Sequence, residues 1–200
     1  DITKEQMVFA EATSVLPLIA SDAFHREYWK TRVKRNFSQI FKTWMNYFDQ
    51  KKGFLGFDTN HKTSSKVVVV PFGLEKTVSY GSGTKNGPKE IIKASHQVEL
   101  FDEELNKEPY KVLGIQTLKP FKIKSKLSDA LNQLSKINEK ILSENKFPLV
   151  LGGEHSITPG SIKPFTKKYK ELTLLHFDAH ADLRESYQGE KFSHASAIKR

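Results

Sequence analysis

Apolar positions along the chain change their period near Lys66, and the change divides it. Between residues 22 and 50, Phe24, Tyr28, Phe37, Ile40, Phe41, Trp44 and Phe48 recur at three- and four-residue steps, the spacing of one helix face. Asp22 stands where an N-cap belongs, since its carboxylate can accept from an unpaired backbone N–H of the first turn. The spacing predicts one long amphipathic helix over 22–50, preceded by a shorter one in 4–20 that Pro17 interrupts. After Lys66 short runs take over. KVVVVPF (66–72), FPLVLGG (147–153) and LTLLHFD (172–178) are continuous apolar stretches, the mark of strands buried on both faces. QVELFD (97–102) and KVLGIQ (111–116) are shorter strand candidates. Pro88 suits the first turn of a helix reaching about Ser95. Leu127, Leu131, Leu134, Ile137 and Ile141 make one face of a helix over 126–146, and another helix falls within 159–170. Strands alternating with helices predict an α/β fold, a mainly parallel sheet with helices on both faces. It would occupy 53–200, behind a helical extension over 1–52.

Composition narrows the class without changing this picture. With 38% hydrophobic and 28% charged residues the chain is an ordinary globular sequence, and 200 residues suit one domain of the usual ~100–200. No apolar run approaches the ~20 residues that span a bilayer, and the first residues lack the pattern of a signal peptide. The absence of cysteine excludes disulfides and thiolate ligands and leads us to expect a cytoplasmic protein. A net charge of +9 raises nucleic acid or an anionic membrane as partners. The helix over 22–50 would then be the contact, because Arg26, Lys30, Arg32, Lys34, Arg35 and Lys42 lie among its aromatics. The lysines are scattered along the whole chain, however, which fits a solvated surface, with the aromatic stripe packed on the protein's own body. Neither a membrane nor a nucleic-acid partner is expected.

The chemistry gathers at strand ends. SYGSGTKNGP (79–88) carries glycines 81, 83 and 87, one residue away from GxGxxG, and it lacks the GK[ST] of a P-loop. It reads as a structural turn or a substrate-facing loop. In LVLGGEHS (149–156) a buried strand runs through two glycines into Glu154 and His155. In LLHFDAHAD (174–182) another ends in Asp178, His180 and Asp182 at two-residue spacing. Parallel strands bring both ends to the carboxyl edge of the sheet, where open α/β sheets bind ligands. Two imidazoles and two carboxylates without sulfur suit manganese above other divalent ions, with zinc, cobalt or nickel as alternatives. A carboxylate bridging two such ions lets them activate one water. His25, His61 and His96 have no carboxylate company and read as bystanders; His176, on the strand itself, suits a buried hydrogen bond rather than ligation. His194, in KFSHASAIKR (191–200), could shuttle protons near such a centre.

GGEHS, DAHAD and SHAS, in that order and at these intervals, resemble the motifs of the ureohydrolase family, which includes agmatinase, arginase and guanidino-acid hydrolases. PFGLEKTVSYGSGTKNGP is most similar to bacterial agmatinases, and the likeness covers about residues 53–200. The resemblance implies a three-layer α/β/α, arginase-like fold with two Mn2+ ions in a complete site. His155 and His180 would ligate one ion each, Asp178 would bridge, Asp182 would bind on the His155 side, and His194 would assist proton transfer or substrate binding. The implied reaction is hydrolysis of a small-molecule guanidino substrate, for agmatine to urea and putrescine, by a homo-oligomeric trimer or hexamer. Arginase or guanidino-acid hydrolase activity is the nearest alternative.

The family's later SxDxD motif, with two more aspartate ligands, does not occur before Arg200, and the chain opens on Asp1 rather than Met. The expectation is an α/β domain incomplete at its C-terminus, inactive alone. The alternative of another class is a catalytically dead truncated subunit or interaction protein.

Overall fold

A computed structural model describes residues 45–57 and 65–200. Residues Tyr47–Arg200 form one compact unit, built on a sheet of three parallel strands: β1 (Val67–Phe72), β2 (Ile115–Thr117) and β3 (Phe147–Gly152), in the order β2-β1-β3. Among the described residues the α-helices are α1 (Gly87–Ser95), α2 (Pro109–Leu113), α3 (Leu127–Ser143) and α4 (Thr158–Lys168).

The β-branched run makes the central strand. Val68, Val69, Val70 and Phe72 are fully buried, each contributing roughly 1.5–3 kcal/mol by leaving water. β1 pairs with β2 only from Val67 to Val69, but with β3 along its whole length, Val67 opposite Phe147 through Phe72 opposite Gly152. Pro71, which cannot donate to a ladder, therefore sits where β1 has outrun β2 and has a partner on one side only. α3 buries Leu127, Leu131, Leu134 and Ile141 as its period requires. Ile137 is only half-buried. Asn138 is fully enclosed instead, its Nδ2 donating to the carbonyl and hydroxyl of Ser161 on α4 (3.1 and 3.2 Å). The two helices meet closely at Gly160, where a Cβ would stand 2.7 Å from the Leu131 carbonyl oxygen.

Four expectations fail, some for local and some for tertiary reasons. LTLLHFD (172–178) joins no sheet among the described residues: it has no regular secondary structure and is largely exposed, Leu175 at 75% and Phe177 at 94%. Its apolar pattern suits a strand, but a strand forms only where a neighbour completes its ladder and covers its faces, and none of the described residues does so. QVELFD (97–102) is loop, touching strand geometry only in an isolated bridge between Asp102 and Lys107. In KVLGIQ the first half is helical, because Pro109 opens α2 and Gly114, at φ 61°, ends it before β2 begins. The helix expected over 22–50 does not reach its C-terminal end either. Tyr47 bridges Leu118 in antiparallel fashion, Phe48 N–H donates to the Thr117 carbonyl (2.8 Å), and a short 3-10 turn follows at Gln50–Lys52. Pairing beside β2 satisfies the backbone there in place of helical bonds. The remainder of that helix, the one in 4–20, and His25 and His61 lie outside the described residues.

Candidate metal centre

The chain leaves β1 for β2 on one side and later returns to β3 on the other, so the crevice beyond the carboxyl ends of β1 and β3 is a topological switch point. His155 is delivered there directly: β3 ends at Gly152, and the chain tightens into a 3-10 turn, His155–Ile157, that runs into α4. Gly153 passes so near β1 that a Cβ would lie 2.1 Å from the Leu74 carbonyl oxygen. The contact is sealed by Gly153 N–H to Phe72 O (3.2 Å) and Glu154 N–H to Leu74 O (3.0 Å).

The segment 174–182 comes to meet His155. The His155 Nδ1 lies 2.7 Å from Asp182 Oδ2 and 3.4 Å from Asp178 Oδ2. The His176 ring stacks on that of His155 at 5.1 Å, with its Nε2 3.5 Å from Asp178 Oδ2. Ligand atoms from His155, His176, Asp178 and Asp182 all lie within 4.8 Å of one another. Asp182 adopts a left-handed backbone, φ 49°, a conformation that aspartate tolerates better than most residues. Its carbonyl accepts from the backbone N–H groups of Ile198 and Lys199 (3.1 and 3.3 Å), so the 194–199 segment pins the turn. The N–H of His180 donates to Asp178 Oδ1 (2.9 Å) and, with the imidazoles of His155, His176 and His180 nearby, holds that carboxyl below its ordinary value.

The donor set fits a divalent cation. It offers two imidazole nitrogens and two carboxylates, with no sulfur. The buried Nε2 of His176 makes no hydrogen bond, its approach to Asp178 being too long for one. A buried nitrogen without a partner costs about 1–3 kcal/mol, and a metal ion would remove that cost.

Of the sequence-derived ligands, the structure brings His155, Asp178 and Asp182 together. His180 lies outside the group, its side chain 81% exposed with Nδ1 3.5 Å from Asp178 Oδ1. His176, read as a hydrogen-bonded strand residue, takes a place inside it. His194 begins a 3-10 turn, His194–Ser196, and its ring is held by Thr77 Oγ1 (3.3 Å from Nδ1), Ser79 Oγ (3.0 Å from Nε2) and the edge of Tyr187 at 5.3 Å. The glycine loop thus reaches His194 through Ser79. Glu75 folds that loop: its carboxylate accepts from the N–H of Lys85 and the hydroxyl of Thr84, and from the N–H of Gly83, which holds it below its usual value. His96 is engaged elsewhere, its Nε2 2.7 Å from the Gly53 carbonyl oxygen. Sequence reasoning missed Thr77, and missed that the Glu154 carboxylate accepts from its N–H (2.6 Å). Glu154 announces itself only by being acidic beside GG, and nothing in KTVS marks Thr77.

A parallel α/β sheet with a His/Asp cluster at its switch point is an architecture able to hold a metal ion. The Arginase family profile matches residues 65–200. An agmatinase of Bacillus cereus is 36% identical over 159 residues, 76% of this chain and 53% of that protein. An N(1)-aminopropylagmatine ureohydrolase of Synechocystis is 35% identical over 142 residues, 67% of this chain and 46% of that protein. Among solved structures, the agmatine ureohydrolase of Thermoplasma volcanium superposes with a TM-score of 0.64 at 28% identity, over 80% of this chain and 52% of that one. The chain belongs to the arginase family, the ureohydrolases. It spans about half the length of the curated relatives it matches.

Proposed function

We propose that this chain carries part of the metal site of an agmatinase-like ureohydrolase, which converts agmatine and water to putrescine and urea. The observation that carries the reading is the convergence of four ligand atoms within 4.8 Å at the switch point of the sheet. The agmatinases among its relatives support the substrate class. His155, Asp178 and Asp182 would hold manganese together with His180, and His176 is the rival second imidazole. Divalent manganese would serve as a Lewis acid that makes water nucleophilic near neutral pH. The chain's own residues would do the rest. The carboxylates fix the charge beside the end of β3, the loop 79–88 borders the substrate side, and His194, held by side chains on both ring nitrogens, moves a proton.

The described residues gather one four-donor group, and two bridged ions need more donors than that. We therefore propose that the 200-residue chain alone binds one ion and does not release urea, and that a second ion and turnover depend on further carboxylates. Manganese titration followed by calorimetry and electron paramagnetic resonance tests the site. Binding near one ion per chain is expected, weakened at least tenfold by Asp178→Asn and by His155→Ala. Comparison of His176→Ala with His180→Ala identifies the second imidazole. Manganese affinity unchanged in Asp178→Asn would sink the site. Urea release from agmatine by the 200-residue chain would overturn its proposed inactivity, and a preference for arginine or guanidinobutyrate in a chain completed with those carboxylates would overturn the substrate.

A further inference from the structure

Glu154 is buried next to His155 without belonging to the metal cluster, and its carboxylate ties the 76–77 segment that contacts His194 to the turn after β3. Its Oε1 accepts from the backbone N–H of Lys76 (3.0 Å) and the hydroxyl of Ser156 (2.7 Å). Its Oε2 accepts from the backbone N–H of Thr77 (2.6 Å) and lies 3.2 Å from the Thr77 hydroxyl. That same hydroxyl receives the backbone N–H of His194 (3.0 Å) and stands 3.3 Å from the ring Nδ1.

A threonine hydroxyl has one hydrogen to donate and two lone pairs to accept with. A carboxylate is a stronger acceptor than a neutral ring nitrogen, so the hydrogen of Thr77 goes to Glu154. Both lone pairs then face His194, one taking its backbone N–H and the other left for Nδ1. The Nδ1 can approach an acceptor only as a donor, so it carries the ring proton. Nε2 is then the bare nitrogen, turned toward the hydroxyl of Ser79, which donates to it.

We propose that Glu154 and Thr77 are positioning residues that set the tautomer of His194, keeping Nδ1 protonated and Nε2 free to take a proton. Glu154 thereby ties the end of β3 that delivers His155 to the loop that orients His194, so one buried carboxylate aligns both histidines. The value of this arrangement for turnover rests on the reading of His194 as a proton carrier. The tautomer itself does not.

The test is long-range nitrogen–proton correlation NMR of the 15N-labelled chain, metal-free in chelator and at alkaline pH, where an ordinary imidazole of pKa ~6.5 is neutral. His194→Gln assigns the His194 ring signals. The wild-type ring is expected mainly in the Nδ1–H form, and Thr77→Ser should preserve it. Thr77→Val should shift the ring mainly to Nε2–H while the backbone amide spectrum stays native. Ser79→Ala should leave Nδ1–H in place, because that variant keeps Glu154 and Thr77, and it covers the case in which Thr77→Val does not fold. A wild-type ring mainly in the Nε2–H form would overturn the proposal. So would an Nδ1–H ring persisting in folded Thr77→Val, or its loss in folded Ser79→Ala. No metal or substrate enters the measurement, so a failure of manganese binding and a failure of the tautomer are told apart.

Discussion

Replacing Gly153 by alanine probes how the site is held, because the second glycine of GGEH lies where two strand ends nearly touch. The added Cβ would stand 2.1 Å from the Leu74 carbonyl oxygen and 2.9 Å from both the carbon of that carbonyl and the Leu74 nitrogen, and it has to retreat beyond 3.0 Å. All three atoms are backbone, anchored by the hydrogen bonds of Gly153 to Phe72 and of Glu154 to Leu74, so no side chain can swing aside. Overpacking of this kind costs about 1–3 kcal/mol, and losing one of those hydrogen bonds adds roughly 1 kcal/mol. Gly152 is the control. There a Cβ would meet the Cδ1 of Ile157 at 2.5 Å, the far end of a flexible side chain, with only the Cγ1 of that residue behind it at 3.6 Å. Gly152→Ala should cost less than about 1.5 kcal/mol. In urea, followed by far-UV circular dichroism, a loss of about 3 kcal/mol moves the midpoint down by about 1–2 M at a slope near ~2 kcal/mol per M. Gly153→Ala should also weaken manganese binding, because displacing the end of β3 moves His155. A Gly153→Ala midpoint equal to wild type, or a Gly152→Ala loss as large as that of Gly153→Ala, would refute the argument from close approach.

Two further outcomes follow from the fold. Leu134 on α3 is fully buried, so Leu134→Ala should cost about 2–5 kcal/mol in the same urea titration while leaving manganese stoichiometry at the native value. Burial, reinforced by the charge of Glu144, pushes the Tyr47 phenol from 10.0 up to about 12. A phenol raised on folding stabilises the native state fully below its unfolded value and loses that contribution as pH climbs through the folded one. Stability should fall between pH 10 and about 12, and Tyr47→Phe should flatten the fall; a wild-type urea midpoint unchanged across that window would contradict the burial.

The amino-acid sequence determined those parts of the protein whose partners are nearby or whose residue types allow one chemistry. Val67–Phe72 is β-branched enough to be a central strand wherever it is placed, and the leucines of Leu127–Ser143 define a helix face by period alone. The histidines and aspartates of GGEHS and DAHAD point to nitrogen–oxygen metal chemistry before any fold is known. Tertiary structure decided everything that depends on a distant neighbour. LTLLHFD has the composition of a buried strand yet lies open, because a strand exists only with its ladder partner. His176 joins the candidate ligand group while His180 stands apart, because ring orientation in an irregular segment does not follow from two-residue spacing. The links from Glu154 through Thr77 to His194 cross 77 and 117 residues of chain. Hydrogen bonds over such separations leave no periodic trace, since only the tertiary fold brings their ends together.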